Sequence, residues 1–199
     1  MATIHDAARL GDLAAVVRLV EEDAGHVHTP DGDGLLPLML AAREGHLAIV
    51  IHLVDRGARV DDADWWQTTA LNLACQNGNL EVAKLLVERG ADPGIEDVAG
   101  RTPLMAASYG GHVEVVALLV SQKVTFLDAV DLCGETALHL APWGHPGVVE
   151  VLLEAGRPHH SRRRGCQSTH KSQAVLRTAV RRAPRGEVSR RSCDGNLIG

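Results

Sequence analysis

Aromatic side chains are scarce in this 199-residue chain, with three Trp, one Tyr and one Phe. A core without large rings must be filled by Ala, Leu and Val, which suits helices stacked with their backbones close together. No uncharged apolar run approaches the roughly 18 residues a membrane-spanning helix needs. Residues 1–6 do not place a basic stretch ahead of an apolar one, so no secretory signal is expected. The four cysteines (Cys75, Cys133, Cys166 and Cys193) are too scattered for a disulfide framework and read as reduced thiols of the cytosol or nucleus. No Ser-His-Asp, paired-carboxylate or phosphate-loop arrangement occurs. The chain is therefore expected to be non-enzymatic, with no catalytic residues and no cofactor.

The charge that is present is unevenly divided. Residues 1–156 hold 9 Lys/Arg against 23 Asp/Glu, a net of −14. Residues 157–199 hold 11 Lys/Arg against 2 Asp/Glu, a net of +9. An acidic body and a basic tail need separate explanations.

The body is periodic. Gly45, Gly78, Gly111 and Gly144 are spaced by 33 residues, and Gly11 lies 34 before the first of them. A fixed period of this size is the mark of a solenoid. Units open at Asp31, Asp64, Asp97 and Asp131, three of them as Asp-x-x-Gly, which is turn chemistry. A short helix follows each turn (Pro37-Leu38, Ala70-Leu71, Pro103-Leu104, Ala137-Leu138). A Gly-His or Gly-Asn pair then opens a second helix. That helix repeats Ile49, Val82, Val115 and Val148 in one column, and Leu53, Leu86, Leu119 and Leu152 in another. A third predicted column is Val54, Val87, Val120 and Leu153. No unit can bury this face alone, so the units must stack and share a core.

These residues resemble the ankyrin repeat, most clearly the stretch 97–120 with Gly90-Ala91-Asp92 before it. The resemblance covers about residues 3–157 and recurs in register. It implies an all-α solenoid of stacked helix–loop–helix units with β-hairpin turns, whose hairpin tips and inner helices line a concave protein-binding surface. The units are 1–30 (an N-terminal capping half repeat), 31–63, 64–96, 97–130 and a degenerate 131–157. A basic low-order tail, 158–199, follows. Within it the stretch 172–183 has helical spacing and is expected to cover the apolar end of the array.

Departures from the pattern are informative. Gln67 stands where neighbouring units have the turn glycine, so that turn must tolerate a side chain or change type. Met39, Asn72 and Met105 replace the family's histidine, which only His139 keeps. Lys123 replaces a glycine, and Pro142 falls late in the last inner helix, so the fifth unit is expected to be the least regular.

Contact positions carry over from the resemblance where the motif aligns. The partner-binding candidates are Trp65, Trp66, Thr68, Val98, Arg101 and Leu132 on the hairpins, with Arg43, Gln76, Asn77 and Tyr109 at the inner-helix ends. Trp65 and Trp66 stand out because aromatic rings dominate interface hot spots. The alternative is that one ring folds back over the neighbouring repeat as local packing. His46, His112 and His145 recur with the repeat and belong to the fold, tying helix ends by hydrogen bonds. Cys75 reads as a small buried hydrophobe. His159, His160, Cys166 and His170 match no standard zinc spacing, so no metal is expected.

The expected role is a protein–protein interaction module, a scaffold or regulatory binder that is monomeric, is not inserted in a membrane, and lies in the cytoplasm or nucleus. The acidic repeat surface favours a basic or mixed partner. The alternative is a nuclear regulator that touches nucleic acid through the Arg-rich tail, where base stacking has no platform and binding would be nonspecific.

Overall fold

The structure is a computed structural model that describes residues 3–122, 126–141 and 145–156. The chain divides into two compact units, Met1–Arg157 and Pro158–Gly199, and the account below concerns the first. The expected helix 172–183 and Pro142 lie outside the described residues, as does Lys123.

Five helix pairs follow one another: α1 Ile4–Leu10 and α2 Leu13–Glu22, α3 Pro37–Glu44 and α4 Leu47–Asp55, α5 Ala70–Gln76 and α6 Leu80–Glu88, α7 Pro103–Gly110 and α8 Val113–Ser121, α9 Ala137–Leu140 and α10 Pro146–Ala155. The first helices pack in a row, α1 on α3, α3 on α5, α5 on α7 and α7 on α9, and the second helices form a parallel outer row. Fully buried small residues let the inner row close up, among them Ala41, Ala42, Ala70, Ala74, Cys75 and Ala107.

Two outer-helix columns are buried as the pattern implies: Ile49, Val82, Val115 and Val148, then Leu53, Leu86, Leu119 and Leu152. The third column is a correction. Val54, Val87 and Val120 are only half-buried, and the fully buried positions are Val50, Ala83 and Val116 instead. At about 100° per residue, i, i+1 and i+4 span one compact arc, whereas i+5 falls at its edge. In the first pair, whose helix α2 lies 34 residues before α4, the buried Val16 and Val20 fall at the positions of Val50 and Val54.

The inner helices begin on hydrogen-bonded caps. Asn72 N–H donates to Thr69 Oγ1 at 3.3 Å, and Met105 N–H donates to Thr102 Oγ1 at 3.3 Å. In α1, Asp6 N–H donates to Thr3 Oγ1, while Thr3 N–H and Oγ1–H both donate to the Asp6 carboxylate. The Thr3 hydroxyl, first among several causes, holds the Asp6 carboxyl below its ordinary range. Substitutes for the family's histidine keep part of its work. His139 Nδ1 lies 2.8 Å from Thr136 Oγ1, and Asn72 Oδ1 accepts from Thr69 Oγ1 at the same 2.8 Å.

The recurring Gly-His pair has a geometric explanation. The side chains of His46, Asn79 and His112 each reach back one repeat. His46 Nε2 lies 3.0 Å from the Arg9 carbonyl, and His112 Nε2 lies 3.0 Å from that of Gln76. Asn79 does more, donating through Nδ2 to Ala42 O at 2.9 Å and to Arg43 O at 2.8 Å. Carbonyls at helix C-termini lack intrahelical partners, so these bonds satisfy them and join neighbouring units.

Two local features differ from expectation. A 3₁₀ turn, Ala24–His28, follows α2, closed by Gly25 N–H on Asp23 Oδ1 at 2.7 Å and pinned by the buried Val27. The predicted β-hairpins are not strands: among the described residues the sole bridge is Ala63 with Thr69. The fifth inner helix has four residues, against seven or eight in the others.

Candidate protein-binding surface

Each turn between units is organised by one aspartate. Asp31 Oδ1 accepts the N–H groups of Asp33 and Leu35 at 2.9 and 2.8 Å. Asp64 accepts those of Trp66 and Thr68 at 2.9 and 2.8 Å, and Asp97 those of Ala99 and Arg101 at 2.8 and 2.9 Å. Asp131 accepts those of Cys133 and Glu135, both at 2.9 Å. Through Oδ1 each of these carboxylates fixes the backbone of its turn and so shapes the tip. Gln67 does not change the turn type: it takes the glycine's place at φ 56°, beside Gly34 at 82° and Gly100 at 75°. A side chain in that region is strained.

The turns are also joined to each other. Val98 N–H donates to Trp66 O at 2.9 Å, and Leu132 N–H donates to Ala99 O at 3.0 Å. One hydrogen-bonded row of tips therefore carries Trp65, Trp66, Val98 and Leu132, which are 69%, 57%, 49% and 80% exposed. Trp65 meets both readings of the pair. Its indole edge lies over Gly34 of the preceding turn, close enough that a β-carbon there would sit 2.8 Å from Cδ1, yet most of the ring faces solvent.

The other candidates fall into two places. Thr68 and Arg101 are half-buried at the turn exits, immediately before the caps of α5 and α7. Arg43, Gln76, Asn77 and Tyr109 stand at the far ends of the inner helices, about 10 Å away by the rise of a seven-residue helix. Tyr109 therefore heads a second row rather than lying directly behind the tryptophans. In that row Arg43 is engaged with Glu44 at 3.1 Å, and Asn77 Nδ2 donates to Leu73 O at 2.9 Å. Gln76 and Tyr109 are exposed.

Three exposed apolar residues were not foreseen: Leu10, Val130 and, at the start of α2, Leu13. Leu10 precedes Gly11 as Asn77 precedes Gly78, so the glycine register alone places it in the row of helix ends. Val130 precedes the Asp131 turn and extends the apolar tips. Cys75 is sealed in the core, and burial pushes its thiol pKa well up. Among the described residues, no group of three or more His, Cys, Asp or Glu side chains gathers as metal ligands would.

A family profile described as ankyrin repeats (3 copies) matches residues 4–97 and 89–162, most of the chain. The chain belongs to the ankyrin repeat family. Ankyrin repeats as a class mediate protein–protein interaction, and the aspartate turns and reaching His and Asn side chains are how this member builds its units. Its similarity to known proteins is partial. It is 43% identical over 61 residues to the mouse (Mus musculus) protein "Ankyrin repeat and SAM domain-containing protein 6", covering 31% of this chain and 7% of that protein. Over 54 residues it is 48% identical to human (Homo sapiens) "Ankyrin repeat domain-containing protein 49", covering 27% of this chain and 23% of that one. Over 64 residues it is 41% identical to the "Serine/threonine-protein kinase VIK" of Arabidopsis thaliana, covering 32% of this chain and 15% of the kinase. The chain thus spans less than a quarter of each of these relatives.

Proposed function

We propose that this ankyrin array is a non-enzymatic binding module, an adaptor or regulatory binder, that takes a partner protein on its concave side along the row of turn tips. The observation that carries this reading is the exposed apolar run Trp65, Trp66, Val98 and Leu132, fixed in line by turn-to-turn hydrogen bonds. Side chains held on a rigid frame lose little entropy on binding, and aromatic rings such as these dominate interface hot spots, with the aliphatic neighbours excluding water around them. The row at the helix ends, Tyr109 with Gln76 and Leu10, widens the face. The array works as a monomer in the cytoplasm or nucleus under this reading.

The test is affinity capture with the full chain, wild type against Trp65→Ala/Trp66→Ala, after melting curves establish that the variant is folded. Partners held by wild type should be lost from the variant. An unchanged set of captured proteins would place the site elsewhere. A second reading rests on the +9 charge of residues 157–199. Under it the protein is nuclear and associates with nucleic acid through phosphates, and its retention on DNA falls steeply with salt. Deleting residues 157–199 should abolish that retention; retention that persists without them would reject this reading.

A further inference from the structure

Arg101 stands apart from the other basic residues of the array. Arg9, Arg18, Arg43, Arg56, Arg59 and Arg89 each pair with a carboxylate. Arg101 makes no side-chain ion pair or hydrogen bond among the described residues, and its Nε–H is buried without an acceptor. Lys84 is also unpaired, but it is exposed on the outer helix α6, where water serves it. A half-buried guanidinium is different, since a charged donor shut away from water without an acceptor is costly. Arg101 sits at the exit of the Asp97 turn, between the tip residues Val98 and Ala99 and the cap Thr102. The Asp97 and Asp131 carboxylates nearest it in sequence register each accept two backbone N–H groups through Oδ1.

We propose that Arg101 is the specificity-determining residue of the tip row and binds a carboxylate carried by an extended segment of the partner protein. This rests on the function proposed above and names the chemistry of what the site takes. Net charge alone would favour a basic partner, and Asp33 and Glu135 are exposed on the turns themselves, but most of the other acidic side chains are placed elsewhere. Glu81, Glu114, Glu150 and Glu154 lie on the outer helices, and Asp55, Asp61 and Asp92 near their ends. Among the described arginines, Arg101 is the one at the turn exits that has no carboxylate partner. A guanidinium fork matches a carboxylate bidentately. Neighbouring helices pack 8–10 Å apart, so Trp66 to Leu132 spans roughly 16–20 Å, the reach of about six extended residues. The segment would thus carry apolar anchors for Trp66 and Leu132 with Asp or Glu between them.

The test uses a random 12-residue peptide library displayed on phage, selected on the full-length wild type, Arg101→Met and Trp65→Ala/Trp66→Ala. Arg101→Met keeps the aliphatic stem, and its melting curve is checked first. Wild type should enrich peptides with aromatic or aliphatic anchors and one acidic residue. Converting that side chain to its amide in a synthetic peptide should weaken binding about tenfold to wild type and leave binding to Arg101→Met unchanged. Equal loss against both proteins, or no acidic enrichment, overturns the role of Arg101 while leaving the tip site standing. Binding that is indifferent to the tryptophan substitutions overturns the site itself, and the failure of any peptide to enrich overturns both. Dimerisation on sedimentation that Arg101→Met abolishes would make the occupant a second copy of this chain and overturn the foreign segment.

Discussion

Trp65 and Gly34 are fitted to each other across a repeat boundary. The indole covers a glycine at φ 82°, and a β-carbon on that glycine would come within 2.8 Å of Cδ1. Gly34→Ala should therefore destabilise the array by about 1–2 kcal/mol from the left-handed backbone, plus whatever the displaced ring costs. In a Trp65→Ala background the ring's share disappears and the loss should shrink. Urea midpoints for the two single variants and the double variant measure the difference. Additive effects would show that the contact carries no energy.

Gln67 offers the opposite change. A non-glycine residue at φ 56° is strained by about 1–2 kcal/mol, and glycine gives back part of that in chain entropy. Gln67→Gly should stabilise by roughly 0.5–1 kcal/mol, read as a higher denaturant midpoint at constant slope. A lower midpoint would mean that the glutamine side chain makes contacts that outweigh the backbone strain.

Asn79 ties α6 to two carbonyls of the preceding unit, whereas His46 and His112 each reach one. Asn79→Ala should cost about 1–3 kcal/mol, more than His46→Ala, because two part-buried acceptors lose their donor. Comparing thermal unfolding of the two variants checks the order.

Cys75 and Cys133 should react very differently. Cys133 is exposed and Cys75 is fully enclosed. Burial disfavours the Cys75 thiolate, so its folded pKa lies above the ordinary 9.0. The unfolded chain then releases this proton first, and stability falls as pH rises past about 9. Iodoacetamide at pH 8 followed by peptide mapping should label Cys133 in the native protein, and Cys75 only in denaturant. Native labelling of Cys75 at a similar rate would show that the inner row opens readily.

The repeat was legible because it leaves its mark on residue type. A Gly before His or Asn every 33 residues follows from carbonyls that need a donor one unit back, and Ile49 and Leu53 mark the centre of the buried arc. The edge of that arc was not legible. Valine stands at both Val50 and Val54, so identity could not say which was sealed, and helix rotation decided it. The Ala24–His28 turn was missed because its closure by Asp23 and the pairing of His26 Nδ1 with Leu19 O obey no period. At the candidate surface the tryptophans announced themselves by rarity. The isolation of Arg101 was invisible in sequence, because it depends on where the other arginines of the array found their carboxylates.

The central claim is that partners dock on the row of turn tips and not on the outer helices. Site-specific photo-crosslinking compares the two faces directly, with a benzophenone amino acid at Leu132 or Val98 on the tips and at Glu114 on α8, all of them exposed. Applied to a partner recovered by affinity capture, the tip positions should give crosslinked complexes and Glu114 should not. Crosslinks from Glu114 with none from Leu132 or Val98 would contradict the account.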